Sequence, residues 1–380
     1  MRYQSMIRPL GIVILAVLFL WGLRTDAPHA VFNSANSQDS RAGSDSQDNA
    51  DASNKRSLSN RPVATASLVP TLILENLTRD ADLIVAGEIK AVREEKPTTI
   101  DIHGLATPTR HLAAELQVHR MIKGKFDRPS LSFQFFLPEV GPIYQDIVTG
   151  QFGLFFLRVE RQREFSVLDP YYPFVVAAPD VPAVRGNDFD RVVAEVAHVL
   201  SSPATSVEQG RQAVKVLNGV KTQAATAALR KAANESNTTI RLEAVAALLW
   251  RNDISSLDVA EDALLRLPQL DGDPTLQKIA FALKDGVQDL RAIPALTRLL
   301  RAADVRTRRA AAAALRHTGV TDAIEALSNA LEDSDREVRY HAVMGLALIT
   351  KSYEWGTAVD RYEANEDRYL NHWRAWAKTR

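Results

Sequence analysis

The side chains that could carry chemistry are few and scattered along the chain. Three histidines, His103, His111 and His119, follow one another at intervals of eight residues. Metal ligands on one face of a helix lie three or four residues apart, and ligands on one face of a strand lie two apart. The histidine spacing fits neither pattern, and no nearby pair of carboxylates completes a site. We therefore expect scattered surface histidines and no metal.

Sequence motifs of the common enzyme classes are missing. The chain has no glycine-rich phosphate loop, no His-Glu-x-x-His, no Gly-x-Ser-x-Gly and no dinucleotide fingerprint. It also has no cysteine, which excludes disulfides, thiolate metal sites and thiol nucleophiles. The segment Asp271-Gly-Asp273 resembles part of a calcium loop but lacks the further ligands. We expect no catalytic residue and no cofactor, with catalytic residues brought together from distant segments as the alternative.

A group of arginines is the strongest local concentration of charge, and Asp304 is the one acidic residue among them. The group consists of Arg298, Arg301, Arg306, Arg308, Arg309 and Arg316. It is either the solvated edge of a helix pair or a contact surface for an acidic protein or an anionic polymer. The whole chain carries 46 basic and 46 acidic residues, and this balance argues against a nucleic-acid partner.

Aromatic residues recur at helical spacing near the C-terminus, where Tyr362, Tyr369, Trp373 and Trp376 lie on one predicted helix face. The pattern predicts a helix that caps the preceding structure. The alternative is a helix that docks on a partner or a membrane surface, and in that case Trp373 and Trp376 would be contact residues.

The N-terminus has the features of a targeting segment. Arg2 and Arg8 precede an uninterrupted apolar run over residues 10–23. We expect residues 1–30 to be either a cleaved signal peptide or a retained membrane anchor, because the run is shorter than the roughly 20 residues of a comfortable membrane span. Residues 31–69 are rich in Ser, Asn, Asp and Gln, which predicts a disordered linker. The rest of the chain would then be exported, as a periplasmic, secreted or anchored protein.

Residues 70–180 change to the pattern of short strands. Alternating or β-branched segments occupy residues 81–92, 114–122, 130–136, 150–157 and 164–168, with a short helix before them. Gly, Pro and Asp separate these segments. The pattern predicts a small antiparallel β-barrel or sandwich.

The strand motifs of this region are similar to those of a known kind of barrel. The segment Ala81–Gly87, the strand that closes on Ile122-Lys-Gly124, and the segment Gly150–Leu157 resemble the OB-type barrels of the metalloproteinase-inhibitor and netrin-like domains. The resemblance implies a small barrel of this type. It does not imply the inhibitory mechanism, which needs an N-terminal cysteine that this chain lacks.

Residues 186–380 have helical periodicity and an internal repeat. Segments that begin at residues 240, 276, 307 and 338 are similar to one another, with spacings of 36, 31 and 31 residues. Two amphipathic helices in each unit of this length predict an α-solenoid of about four helix pairs, followed by a capping helix.

The repeated pattern is clearest from Asp335 to Leu346, where it reads Asp-x-x-Val-Arg-x-x-Ala-x-x-x-Leu. It resembles the HEAT repeats of bacterial proteins, of the type found in phycobilisome lyases. The resemblance implies a right-handed solenoid in which Asp and Arg residues link successive repeats. The matching residues in this chain are Arg241, Asp304, Arg308, Asp335 and Arg339.

These observations together predict a multidomain α and β protein that acts as a non-catalytic extracytoplasmic adaptor, with a protein partner bound on the repeat surface. Two alternatives stay open. One is an accessory enzyme or metal-dependent factor that uses a cleft of the β-domain, and the other is a binder of an anionic ligand through the arginines of residues 298–316.

Overall fold

A computed structural model describes residues 71–380 except 96, 103–104, 139–144, 161–163, 183 and 267–272. The predicted signal peptide or anchor and the whole of the predicted linker lie outside the described residues. Among the helices that the model describes, none combines the length and the apolar character that a membrane crossing requires.

The first part of the described chain is a small sheet region. A short helix, α1 (Leu74–Asp80), leads into seven strands. The strands are β1 (Leu83–Glu94), β2 (Thr98–Ile102), β3 (Leu105–Lys123), β4 (Ser130–Pro138), β5 (Phe152–Val159), β6 (Phe165–Val167) and β7 (Phe174–Val176). Five of them lie where the sequence pattern predicts strands, and β2 and β7 are additional.

The sheet is mixed, whereas the sequence pattern predicted an antiparallel one. Strands β1, β3 and β4 pair antiparallel in that order, but β4 pairs parallel with β6. Strand β6 pairs antiparallel with β5, and β5 in turn pairs with β7 and with β1. The parallel pair was not predictable, because an alternating pattern identifies the faces of a strand and not its neighbours.

The two faces of the sheet bury different sets of side chains. On one face Val85, Phe133, Phe135 and Phe155 belong to a core that the sheet forms with its own strands. The other face carries Ile84, Ala86, Leu154 and Phe156, and these residues share a core with the helices that follow. The alternation along β1 and β5 therefore divides the apolar side chains between two cores.

The second part of the described chain is helical. Its helices are α2 (Asp188–Val199), α3 (Val207–Asn218), α4 (Gln223–Ala232), α5 (Thr238–Trp250), α6 (Leu257–Arg266), α7 (Pro274–Gly286), α8 (Ile293–Leu299), α9 (Val305–Thr318), α10 (Ile324–Ala330), α11 (Arg336–Ile349), α12 (Val359–Ala364) and α13 (Glu366–Lys378).

Polar side chains fix where the longer helices begin. Asn237, Asp273, Asp304 and Asp335 each accept backbone N–H groups in the first turn of α5, α7, α9 and α11. Such N-caps satisfy donors that have no partner inside the helix. The caps are 36, 31 and 31 residues apart, as are the repeats in the sequence. The repeat in the sequence therefore marks the positions at which these four helices begin.

Helices α2 to α11 form successive pairs in two layers. The second helices of the pairs, α3, α5, α7, α9 and α11, contact one another in that order. We call them the second-helix layer. The small residues Ala244, Ala280, Ala311 and Ala342 are all buried in this layer, where the helices approach closely. Four of the pairs, α4–α5 to α10–α11, correspond to the repeats in the sequence, and α2–α3 precedes them.

Helices α12 and α13 cover the last pair. Trp373 and Tyr362 are fully buried, and the Trp373 indole N–H donates to the Trp355 carbonyl at 3.1 Å. The Trp355 and His372 rings stack with their centroids 3.6 Å apart.

Candidate partner-binding site

A buried glutamate organises the charges on the second-helix layer. Glu243 of α5 is only 7% exposed and lies between two cations from the neighbouring helices. Lys278 Nζ of α7 is 2.6 Å from Glu243 Oε1, and Arg211 Nε of α3 is 3.4 Å from the same oxygen. Arg211 also bonds Glu208 at 3.1 Å. A carboxylate with so little exposure is tolerated because both cations remain close to it.

These residues line a cleft of about 670 Å³ where the sheet region meets the first helices. One wall carries Tyr172, Phe174 and other residues of the sheet region, and the opposite wall carries α3, α5 and α7. Trp250, at the end of α5, lines the cleft and is 45% exposed. We call this space the junction cleft.

Further along the layer, apolar side chains remain exposed on second helices. Phe281 is 57% exposed, and it lies three residues after Lys278 on neighbouring turns of α7. Leu348 of α11 is also exposed and lines a smaller cavity together with Arg316 and Tyr353. Large apolar residues in such positions mark surfaces that are available for contact with another molecule.

Equivalent positions on α5 and α11 show that this face repeats. Glu243 and His341 both lie six residues after the N-cap of their helix, and Trp250 and Leu348 both lie thirteen after it. Glu243 pairs with Lys278, and His341 lies 3.5 Å from the Arg316 guanidinium. Burial lowers the pKa of His341, although Glu337 opposes this effect. The second-helix layer therefore offers polar pairs and apolar side chains at regular intervals.

The arginines that the sequence analysis grouped together mostly bond within the array. Arg298 bonds both oxygens of Glu261, Arg308 bonds Asp333, and Arg309 bonds Asp335 and approaches Glu337. Arg316 lies against His341 and over the Tyr340 ring. Arg306 is exposed at the start of α9 and also has an interaction partner. In the part of the chain that the structure describes, the Arg301 side chain makes no hydrogen bond or ion pair.

Arg308 bonds a carboxylate of the next helix pair, and Arg339 bonds a carboxylate of the C-terminal cap. Arg308 donates to Asp333 at 2.8 Å and to the carbonyls of Ala302 and Ala303. Arg339, one repeat later, donates to Glu366 and to the carbonyls of Asp333 and Ser334. Asp304 and Asp335 cap α9 and α11, and Asp335 also accepts the guanidinium of Arg309.

Arg241 differs from the other two arginines, and the two tryptophans lie in the cap and not on a contact surface. Arg241 Nε is buried and has no hydrogen-bond partner among the described residues, so it does not take part in a link of this kind. Trp373 has no exposed surface and lies in the core, where it is unavailable for contact with a partner. Trp376 is half-buried against the Trp373 ring, and Arg380 lies over it. Both tryptophans belong to the cap.

The histidines of the sheet region are described only in part. His111 stacks on Phe136, and its Nδ1 is 3.0 Å from the Glu95 carboxylate. His119 is exposed and contacts Phe152 by its edge, and His103 lies outside the described residues. Asp273 caps α7, while Asp271 lies outside the described residues. Within the described ranges, no three histidine or carboxylate side chains are grouped as a metal site.

Two important groups escaped the sequence analysis. Arg251 donates to the carbonyls of Leu217, Asn218 and Val220 at the end of α3, and to the Thr226 hydroxyl. No sequence signal separates it from other surface arginines. Glu243 could have been noticed, because it is the one charged residue within the apolar run of residues 242–249.

Comparison with known proteins agrees with the repeat pattern. Residues 266–347 match the family model of HEAT repeats. These residues run from the end of α6 to the last turn of α11. No curated protein matched the sequence.

Comparison with solved structures gives matches of low identity and low TM-score. The Escherichia coli protein YibA is 20% identical over 42% of this chain and 63% of its own, with a TM-score of 0.30. An engineered protein is 19% identical over 49% of this chain and 54% of its own, also with a TM-score of 0.30. Human deoxyhypusine hydroxylase in complex with glycerol is 15% identical over 50% of this chain and 73% of its own, with a TM-score of 0.23. The chain thus spans less than two thirds of the first two structures. The family match identifies residues 266–347, within the helical part of the chain, as similar to HEAT repeats.

Proposed function

We propose that this protein is a non-catalytic scaffold that binds a protein partner along the exposed face of the second-helix layer. The observation that carries the proposal is the exposure of Trp250, Phe281 and Leu348 on second helices of one continuous array. Exposed aromatic and aliphatic side chains among satisfied charge pairs are typical of protein contact surfaces. HEAT repeats in general mediate protein interactions, which agrees with this role.

The anionic-ligand alternative has less support. Arg298, Arg308 and Arg309 already bond carboxylates of the array. Their charge is therefore largely neutralised before any ligand arrives, and Arg306 also has an interaction partner. A polyanion needs several free cations on one surface.

We propose further that the sheet region is a closed barrel of the OB type and that the helices form a right-handed solenoid. The pairing of β1 with both β3 and β5 supports the barrel, since the path of strands returns to the first strand. The parallel pairing of β4 with β6 is compatible with a Greek-key barrel.

The proposed location is outside the cytoplasm, with the N-terminal apolar run as the export signal or anchor. Fusion of alkaline phosphatase to the C-terminus tests it, because that enzyme is active only after export. Activity of the fusion supports export, and an inactive fusion that is made in full would contradict it.

Site-specific crosslinking tests the binding face. A photoreactive phenylalanine at Phe281 should crosslink one protein from the host's envelope fraction. The same group at Leu290, which is 48% exposed in the turn before α8, provides the control. Crosslinking of the same proteins from both positions, or of none from Phe281, would show that the second-helix layer is not the binding face.

A further inference from the structure

The junction cleft has features that the rest of the second-helix layer lacks. It is bounded by the sheet region on one side and by α3, α5 and α7 on the other. Among the described residues, its walls carry three cations, Arg211, Lys215 and Lys278, and two carboxylates, Glu208 and Glu243. These described walls therefore have an excess of one positive charge, although the chain as a whole is neutral.

The excess can be assigned to one side chain. Glu243 bonds Lys278 and Arg211, and Glu208 bonds Arg211. Lys215 is exposed on α3, and its side chain makes no hydrogen bond or ion pair with any residue that the structure describes. Its ammonium group can therefore donate to a new anionic partner without breaking an existing contact.

The buried carboxylate also holds the other two cations in place. Lysine has three N–H donors and arginine has five, and Glu243 and Glu208 use only some of them. A carboxylate that enters beside Lys215 could bond the remaining donors of Arg211 or Lys278. Because Glu243 fixes these side chains in advance, less conformational entropy is lost when the ligand binds.

Next to the cations, the cleft offers an aromatic surface. Trp250 exposes nearly half of its surface, and Tyr172 and Phe174 lie on the opposite wall. The amide side chains of Gln145, Gln212 and Asn218 also line the cleft. Amides of this kind donate to and accept from a peptide backbone. Cations, amides and an exposed indole together match a short peptide better than a free anion.

We propose that the junction cleft binds a short segment of the protein partner that carries one acidic side chain next to an aromatic or large aliphatic one. The carboxylate contacts Lys215, and the apolar side chain packs on Trp250. The inference rests on the proposed function, and it adds the chemistry of the partner segment and the place where that segment binds.

Fluorescence anisotropy with labelled peptides tests the inference on the full chain. The probe is a fluorescein-labelled peptide of sequence Gly-Ser-Asp-Phe-Leu-Gly, and its twin has Asn in place of Asp. We expect the acidic peptide to bind about tenfold more tightly than its twin, as for a charge-assisted contact in a partly buried site. Equal affinity of the two peptides, or no binding of either up to about 1 mM, would overturn the proposal.

Matched variants locate the contact. Lys215→Glu should abolish the preference for the acidic peptide, because it places a like charge at the contact. Lys221→Glu makes the same change of charge at an exposed residue that does not line the cleft, and it should leave the preference intact. Trp250→Ala should weaken the binding of both peptides about equally, so the ratio of their affinities should not change. Loss of the preference in Lys221→Glu as well would show that a long-range field, and not the cleft, selects the peptide.

A competition experiment separates the peptide from a small carboxylate. Free glutamate should fail to displace the acidic peptide at concentrations at which the unlabelled peptide does so. Equal displacement would assign the site to a small molecule and overturn the proposal. Crosslinking at Phe281 is independent of these tests, so a partner captured there together with failed peptide binding would reject the cleft and leave the scaffold function in place.

Discussion

The two ends of the helical array are covered in different ways. At the first end, α2 and α3 pack against the sheet region, and at the other end α12 and α13 pack against the last helix pair. Both ends join their cover with a charged pair, Arg120–Glu195 at the first and Arg339–Glu366 at the second. The packing differs, because the C-terminal helices bury Trp373 and Tyr362 completely, whereas the sheet end leaves a cleft of about 670 Å³.

The reason lies in what each cover is made of. A helix can follow the rows of side chains on the helix before it, so α12 and α13 continue the packing of the array. The position of a sheet is set by its own strand pairing, so its surface cannot adjust to the helices in the same way. A gap between sheet and helix therefore remains, and polar side chains line it. We expect the cap to contribute mainly stability and the sheet end to contribute a binding site.

Among variants at the two ends of the array, the one that removes the buried Trp373 indole should lose the most stability. Trp373→Ala should lower the free energy of unfolding by about 3–5 kcal/mol, since a fully buried aromatic side chain is replaced by a cavity. Urea unfolding followed by circular dichroism at 222 nm measures the change. Trp376→Ala, at a half-buried position, is the control with a smaller expected loss. Equal losses in both variants would mean that the cap is not packed as described.

The second-largest loss of stability should follow from breaking the charged pair at the sheet end. Arg120 donates to both oxygens of Glu195 and to the carbonyls of Ala178 and Pro179. Arg120→Ala should cost about 3 kcal/mol, because it leaves the Glu195 carboxylate buried without its partner. Chemical unfolding of the variant gives this value.

A second arginine of the same strand provides the control for that experiment. Arg110 pairs with Glu94 on the exposed surface of β3 and β1, and Arg110→Ala should cost no more than about 1 kcal/mol. If Arg120→Ala cost as little as Arg110→Ala, the sheet region and the helices would not depend on this pair.

A smaller effect is expected beside the junction cleft. A methyl group at Gly286 would overlap the Leu249 carbonyl and lie 2.8 Å from Trp250 Cα. Gly286→Ala should therefore force α5 and α7 apart and cost about 1–3 kcal/mol. Thermal unfolding measures the loss. Gly319→Ala is a useful contrast, since that site has open space and a φ of 65°, so only backbone strain of about 1 kcal/mol is expected.

The smallest loss of stability should come from removing an ion pair inside the array, between Arg309 and Asp335. This loss is the reference value for the two ends. The pKa of the Asp335 carboxyl lies below its usual range, mainly because Arg309 donates a hydrogen bond to it. A lowered pKa in the folded state stabilises the fold above about pH 4, and this contribution is lost as the pH falls through the pKa of the folded state. Asp335→Asn keeps an N-cap and removes the charge.

We expect the melting temperature of Asp335→Asn to lie below that of the unchanged protein at pH 7, by an amount equivalent to about 1 kcal/mol or less, because Arg309 is partly exposed. The difference should shrink toward pH 3. A difference that stays constant over this range would show that the ion pair is not its source.

The helical part was the more predictable region. The repeat spacing and the Asp residues at 273, 304 and 335 mark helix starts, because local chemistry decides an N-cap. The order of the second helices also follows from the repeat. Which arginine bonds which carboxylate does not, since these pairs join residues about 25 positions apart, such as Arg308 and Asp333, whose contact depends on the packing of the helices.

The sheet region and the binding cleft were less predictable. The alternation along residues 130–136 places Phe133 and Phe135 on one face of their strand, and both lie in a core. It could not show that the opposite face of β1 packs on helices, because both faces of this strand are apolar over residues 83–86. The cleft depends on the placement of one region against the other, and no local pattern encodes that placement. The arginine group looked like a free charged patch because its partners, such as Glu261 and Asp333, lie elsewhere in the sequence.

The shared core between the sheet and the helices has a consequence for how the chain folds. Ile84 and Phe156 belong to the same cluster as residues from every helix pair up to Trp373. Solenoids with independent repeats can unfold in stages from either end. Here the first helix pair needs the finished sheet as its neighbour, and β1 must first find partners in β3 and β5, far along the chain. Long-range strand pairing is slow, so formation of the sheet should limit the rate of folding. Because the core is shared, the sheet and the helices should unfold in one cooperative transition.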